Sequence, residues 1–144
     1  MTNENEFFDL LKRDLIRDEG AVPYMYFDSE NLATIGVGRL IDKKRGGGLS
    51  DDEIEYLLNN DIKRVMQEAQ LTFSWFNELN DARKSAILNM CFQLGTNGVA
   101  KFQNMIRAIL IKDWEAAYHH ALDSRWAQQT PKRAERVAWK LKNG

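Results

Sequence analysis

Apolar residues recur at helical spacing along most of this chain, with one interruption near its start. Phe7, Phe8, Leu11, Leu15 and Ile16 fall on one face of a helix over roughly residues 4–18. Gly20 suits the end of that helix, and Pro23 forbids its resumption. The pattern then becomes aromatic-rich, and residues 24–28 suit a strand. Asp28-Ser29-Glu30-Asn31 reads as a turn in which Asn31 takes a positive φ, and Leu32 to Gly38 reads as the returning strand. Gly36 and Gly38 stand two apart, so one face of that strand is expected to be bare of side chains, open to a ligand or to tight packing. Leu40 and Ile41 extend a third short strand, and Lys43 to Gly48 form a flexible basic loop.

Helical spacing resumes at Ser50, where Ser50 and Glu53 have the spacing of a capping box. Ile54, Leu57, Leu58, Ile62, Val65, Met66 and Ala69 then continue one long helix over 51–70. Shorter helical pieces follow at about 73–79, 97–101, 103–111 and 113–123. Between them, Asp81 caps a helix through Ala86, Ile87, Met90, Cys91 and Leu94 that Gly95 ends. It is apolar almost all round, so it belongs at the centre of the core. A turn through Trp126 leads to a last helix with Thr130 as cap and Pro131 in first position. The expected fold is α+β and mainly helical: a small β-hairpin lobe, a long helix and a helical lobe.

Composition narrows this picture. A chain of 144 residues with 44% hydrophobic content supports one domain with a packed core. A formal net charge of −1 disfavours a globally basic nucleic-acid binder. The single cysteine, Cys91, excludes an internal disulfide framework and cysteine-based zinc sites, and its apolar neighbours suggest a buried thiol. His119 and His120 are adjacent, hence about 100° apart on a helix, a poor metal pair. No apolar run has the ~18 residues of a membrane span. The acidic N-terminus lacks the features of a leader, so a protein folded in the cytosol is expected.

Two carboxyls carry the candidate chemistry. Glu19 lies at a helix C-terminus, where the negative end of the dipole, together with burial, would favour its protonated form. Asp28 lies at a turn with free backbone N–H groups and is expected to stay ionised. Such a pair suits acid/base work in glycoside hydrolysis, although two solvated surface acids have the same spacing. Thr34 is placed to hydrogen-bond a water held by Asp28. Arg125, Lys132, Arg133, Arg136, Lys140 and Lys142 make the C-terminus basic, either as a solvated face or with an arginine set over a carboxylate.

Asp18-Glu19-Gly20, Asp28 and Thr34-Ile35-Gly36-Val37-Gly38 resemble the phage-type lysozymes of glycoside hydrolase family 24, in the T-even branch. Asn89 to Gly95, Gly98 to Phe102, and Ser124 to Val137 resemble the same branch, in the same order. The resemblance implies one domain: a β lobe over 19–50, a connecting helix over 51–70, and a helical lobe of 71–144 plus 1–18, with a cleft between the lobes. It implies cleavage of the β-1,4 bond between N-acetylmuramic acid and N-acetylglucosamine in peptidoglycan, with inversion, for host lysis. Glu19 takes the general-acid position, and Asp28 and Thr34 the water-positioning ones. Glu30, Leu32, Phe92, Gln93, Arg125 and Arg133 match substrate-facing positions. No cofactor or metal is implied, and the partner is the glycan strand, met by a monomer. The enzyme would wait in the host cytoplasm and act on the periplasmic wall.

Three departures from the branch stand out. A histidine that normally pairs with an aspartate on the long helix is replaced by Arg39, which is expected to pair with Asp61. The segment from Arg39 to Ser50 is short, and the sequence stops at Gly144 soon after the last helix, from which lower stability is expected. Two other functions fit parts of the pattern: a silent peptidoglycan-binding module, and a lytic transglycosylase that works with one glutamate. Asp28 with Thr34 argues against the transglycosylase, which activates no water.

Overall fold

A computed structural model describes residues 3–144 of the chain. It comprises two compact units, one ending at Glu55 and the other running Tyr56–Gly144.

The first unit begins with helix α1, Glu4–Glu19. The Asn3 side chain caps it by accepting from the Glu6 N–H, and Gly20 ends it at φ 78°. The helix buries no residue. Three short strands follow, β1 Val22–Phe27, β2 Ala33–Gly36 and β3 Arg39–Leu40, in one antiparallel sheet of order β1-β2-β3. Pro23 is tolerated because β1 is an edge strand, and the pairing with β2 shifts between Val22 and Tyr26. Asn31 takes φ 62° in the turn, as its residue type predicts.

Two expectations for this unit are corrected. Gly36 and Gly38 do not bare a strand face. They sit at φ 68° and 65° around the β2–β3 turn, a backbone region that glycine enters at least cost. The basic segment is not a free loop either. Lys43–Arg45 form a 3-10 turn capped by Asp42, and the Gly48 N–H closes the segment onto the Leu40 carbonyl at 3.0 Å.

Helix α2 runs Asp51–Thr72, through the boundary between the units, and buries Val65 and Ala69. The second unit continues with α3 Asp81–Ala100, α4 Gln103–Leu110, α5 Trp114–Leu122, α6 Arg125–Gln129 and α7 Pro131–Asn143. Its core contains Phe76, Ile87, Met90, Val99, Met105 and Leu141, each almost wholly buried. α3 supplies the centre, as its apolar composition predicts, and Gly95 breaks its helical path at φ 76°. Cys91 is buried in this core, and that burial raises its thiol pKa to about 11, so it stays protonated and unreactive.

Local capping differs from expectation at two places. Asn80, not Asp81, caps α3, accepting from the Arg83 N–H at 2.9 Å. Thr130 makes no side-chain cap for α7; its hydroxyl donates backwards to the Trp126 carbonyl at 3.0 Å, ending α6. The other end of α7 is closed from α3. Arg83 Nε and Nη2 donate to the carbonyls of Leu141 and Lys142 at 2.8 and 3.0 Å, and its guanidinium lies 3.8 Å from the centre of the Trp114 ring. One arginine thus satisfies orphan helix carbonyls and ties three helices together.

Candidate active site

Glu19 is the last residue of α1 and is exposed, so the burial expected around it is not found. Among the described residues, no hydrogen bond or ion pair holds its carboxylate. It stands beside Gly38 in the β2–β3 turn, where a Cβ added to the glycine would come 2.9 Å from Glu19 Oε2.

Asp28 lies just past the end of β1, half-buried. Its Oδ1 accepts the backbone N–H groups of Glu30 and Leu32, both at 2.9 Å. Its own N–H donates to the Leu32 carbonyl at 3.0 Å, and its carbonyl accepts from the Asn31 N–H at 2.9 Å. The turn is therefore wound around this one residue. Among the described residues all hydrogen bonds to the carboxylate fall on Oδ1, leaving Oδ2 unengaged. Thr34 is 3% exposed on the central strand, the sole polar residue among the described residues to be buried. Its hydroxyl donates to the Leu32 carbonyl at 2.9 Å, so the hydroxyl proton is committed and only its lone pairs remain available. Leu32 thus links Asp28 to Thr34, while Glu30 at the turn tip is exposed.

Arg39 makes a different pair from the one expected. Its Nη1 lies 2.8 and 2.6 Å from the two carboxylate oxygens of Glu53, and 3.3 Å from the Gly48 carbonyl. Asp61 pairs instead with Arg64, one turn along α2, at 2.9 Å. Sequence favoured the family's partner, but Glu53 is already oriented by the capping box, accepting from Ser50 N and Oγ at 2.9 Å. The Arg39 bond, followed by those from Ser50, lowers the Glu53 pKa from 4.5 to about 2. A depressed carboxyl stabilises the fold above its ordinary pKa and loses that contribution as pH falls through the folded value. Glu53→Gln is therefore expected to lower the melting temperature modestly above pH 4.5, with the gap to wild type closing towards pH 2. Thermal melts across that range check it; a constant gap would show that the pair does not titrate with folding.

The remaining candidates lie in the second unit. Phe92 is 46% exposed on α3. Beside it, the exposed Gln93 accepts from the buried Trp126 indole N–H at 2.9 Å. Trp126 in turn packs edge-on against Phe102, with ring centres 6.0 Å apart. Arg125 is exposed and, with Trp126, Phe102, Met105 and His120, lines a cavity of about 410 Å³. Arg133 is half-buried, and its Nε donates to the Asn89 side-chain oxygen at 3.0 Å.

The structure brings Asp28, Glu30, Leu32 and Thr34 together, and separately fixes Gln93 and Arg133 on partners that were not singled out. Trp126 had a signal, since a buried indole N–H needs an acceptor. Asn89 opens the Asn89 to Gly95 motif, but nothing in the sequence marked it as the partner of Arg133. Among the described residues no group of three histidine, cysteine or acidic side chains is arranged to hold a metal ion, and no helix is long and apolar enough to cross a membrane.

Comparison with known proteins assigns the chain. The phage lysozyme family matches residues 17–140. Probable T4-type lysozymes 2 and 1 of Dictyostelium discoideum are 33% and 31% identical, over 88% and 92% of this chain and 90% and 94% of their own lengths. The pre-baseplate central spike protein Gp5 of Enterobacteria phage T4 is 33% identical over 90% of this chain, which spans only 27% of that longer protein. With a match that runs from before Glu19 to within α7, this chain belongs to the phage lysozyme family of glycoside hydrolases.

Proposed function

We propose that the chain hydrolyses the β-1,4 bond between N-acetylmuramic acid and N-acetylglucosamine in peptidoglycan, with inversion at the anomeric carbon. The observation that carries this reading is the division of labour at the hairpin turn. Asp28 Oδ1 is spent on two backbone N–H groups, and the Thr34 proton is spent on the Leu32 carbonyl. Asp28 Oδ2 and Thr34 Oγ1 are left as two acceptors. A water that donates its hydrogens to both keeps a lone pair for attack, and Asp28 takes its proton as the bond to carbon forms. Glu19 gives its proton to the departing glycosidic oxygen. Direct attack by water from the face opposite the acid inverts the configuration.

Glu30, Leu32, Phe92, Gln93, Arg125 and Arg133 are the residues proposed to touch the glycan. Phe92 offers apolar surface, and Gln93 an amide fixed by Trp126. The wider reading is a monomeric, single lysozyme domain: a β lobe over 19–50, a connecting helix over 51–70, and a helical lobe of 71–144 plus 1–18. It is held in the host cytoplasm until release and acts on the periplasmic wall for host lysis. Similarity to a pre-baseplate central spike protein favours a second setting for the same chemistry, carriage by a phage particle.

The product tests the mechanism. Digestion of purified glycan strands, followed by NMR before mutarotation, is expected to show the α anomer at new reducing ends, with the mass of one added water. A first-formed β anomer would replace inversion by retention, and an anhydro product would replace hydrolysis by transglycosylation.

A further inference from the structure

Glu19 and the β2–β3 turn belong to the same unit, and they meet at Gly38. A Cβ built on Gly38 would stand 2.9 Å from Glu19 Oε2, 3.0 Å from its Cδ and 3.3 Å from its Cγ. Comfortable contact between non-bonded carbon atoms begins at about 3.5 Å, so the acid lies where a side chain at position 38 would put its first atom. Gly38 also has φ +65°, which favours glycine by itself. Gly36 separates the two reasons: it has φ +68°, yet a Cβ there would meet nothing within 4 Å.

We propose that Gly38 is a positioning residue for Glu19, and that its missing side chain sets where the acid's carboxyl group lies. The inference rests on the proposed role of Glu19 as general acid. The carboxyl is the free end of a flexible side chain, with no hydrogen bond or ion pair holding it among the described residues. A methyl group at position 38 is therefore accommodated by moving the carboxyl and leaving the backbone where it is. A general acid must come within about 2.6–3.2 Å of the oxygen it protonates, so a small displacement acts on the chemical step. The fold is disturbed only as much as any residue at positive φ disturbs it.

Gly38→Ala and Gly36→Ala, compared side by side, test this. Both are expected to melt below wild type by similar amounts. Gly38→Ala alone is expected to lose at least about tenfold in kcat at little change in KM, misplacement of a catalytic group falling mainly on the chemical step. Its pH–rate profile is also expected to shift on the limb that reports the acid. Gly38→Asn supplies a second variant, because asparagine tolerates this backbone region better than alanine while keeping the Cβ. It is expected to show the same kcat loss with a smaller loss in melting temperature. In a Glu19→Gln background, Gly38→Ala is expected to cause no further fall. Equal kcat values and superimposable pH profiles for the two alanine variants would overturn the proposal. Wild-type kcat in Glu19→Gln alone would instead overturn the acid assignment on which it rests.

Discussion

Glu19→Gln is expected to slow lysis of outer-membrane-permeabilised Gram-negative cells by about 10²–10⁴-fold, the usual worth of a positioned general acid. The substitution is nearly isosteric and exchanges only the ionisable oxygen for an amide that has no proton to give at the required driving force. Glu19 is exposed at the end of α1, where Gly20 and not Glu19 closes the helix, so the melting temperature is expected to stay within a degree or two. Turbidity loss and reducing-end release from the same preparations check the result. Parallel loss in both assays with an unchanged melt is the expected outcome; undiminished lysis would remove Glu19 from its proposed role.

Phe76→Ala is expected to lower the unfolding free energy by about 3–5 kcal/mol, the range for deleting a buried aromatic ring. Phe76 is 1% exposed and sits in the 3-10 turn Phe76–Glu78 that joins α2 to α3. It belongs to a core with Ile87, Met90 and Leu141 on two of the surrounding helices. Two losses add: apolar surface returns to the unfolded reference, and a cavity remains where rigid helices cannot close in. Since domains of this size are stable by only about 5–15 kcal/mol, the loss is a large fraction of the total. Denaturant unfolding checks it, with Phe76→Leu expected to lose much less because most of the volume is retained. A cost below about 1 kcal/mol for the alanine variant would mean that the site collapses freely around the missing ring.

What was legible in the sequence followed from local rules. Helical spacing located α1, α2 and the apolar α3, and residue chemistry alone located the Gly20 stop, the Asn31 turn and the Ser50–Glu53 capping box. Each of these depends on neighbours within a few positions. Two misreadings, the caps of α3 and α7, were local choices between neighbouring partners; the others depend on pairings that residue type does not decide. Gly36 and Gly38 fit either a bare strand face or a positive-φ turn, and only the Thr34–Leu40 and Ile35–Arg39 pairing decides for the turn. Arg39 was matched to Asp61 by resemblance, and the closed segment before Ser50 brings it to Glu53 instead. Arg83 gave no hint of closing α7 because its acceptors are carbonyls 58 and 59 positions away, and carbonyls are invisible to residue type. At the site, Asp28 was legible as a turn residue, but residue type does not reveal that one of its oxygens takes both backbone N–H groups and leaves the other unengaged.

The closed segment between β3 and α2 has a consequence for how such a protein diversifies. Leu40 and Gly48 are tied directly to each other, Gly47 lies so close to the Leu40 carbonyl that a Cβ would stand 2.5 Å from it, and Arg39 fastens the same point to Glu53. The segment is thus a ring with its clasp at the base, and residues spliced into its far side around Lys43–Arg45 would leave the clasp untouched. Each doubling of such a ring costs only about 0.6 kcal/mol in closure entropy. Residues added there would leave the β2–β3 pairing and the turn around Asp28 in place, so this position is a graft point at which the segment can grow or shrink without rebuilding the hairpin.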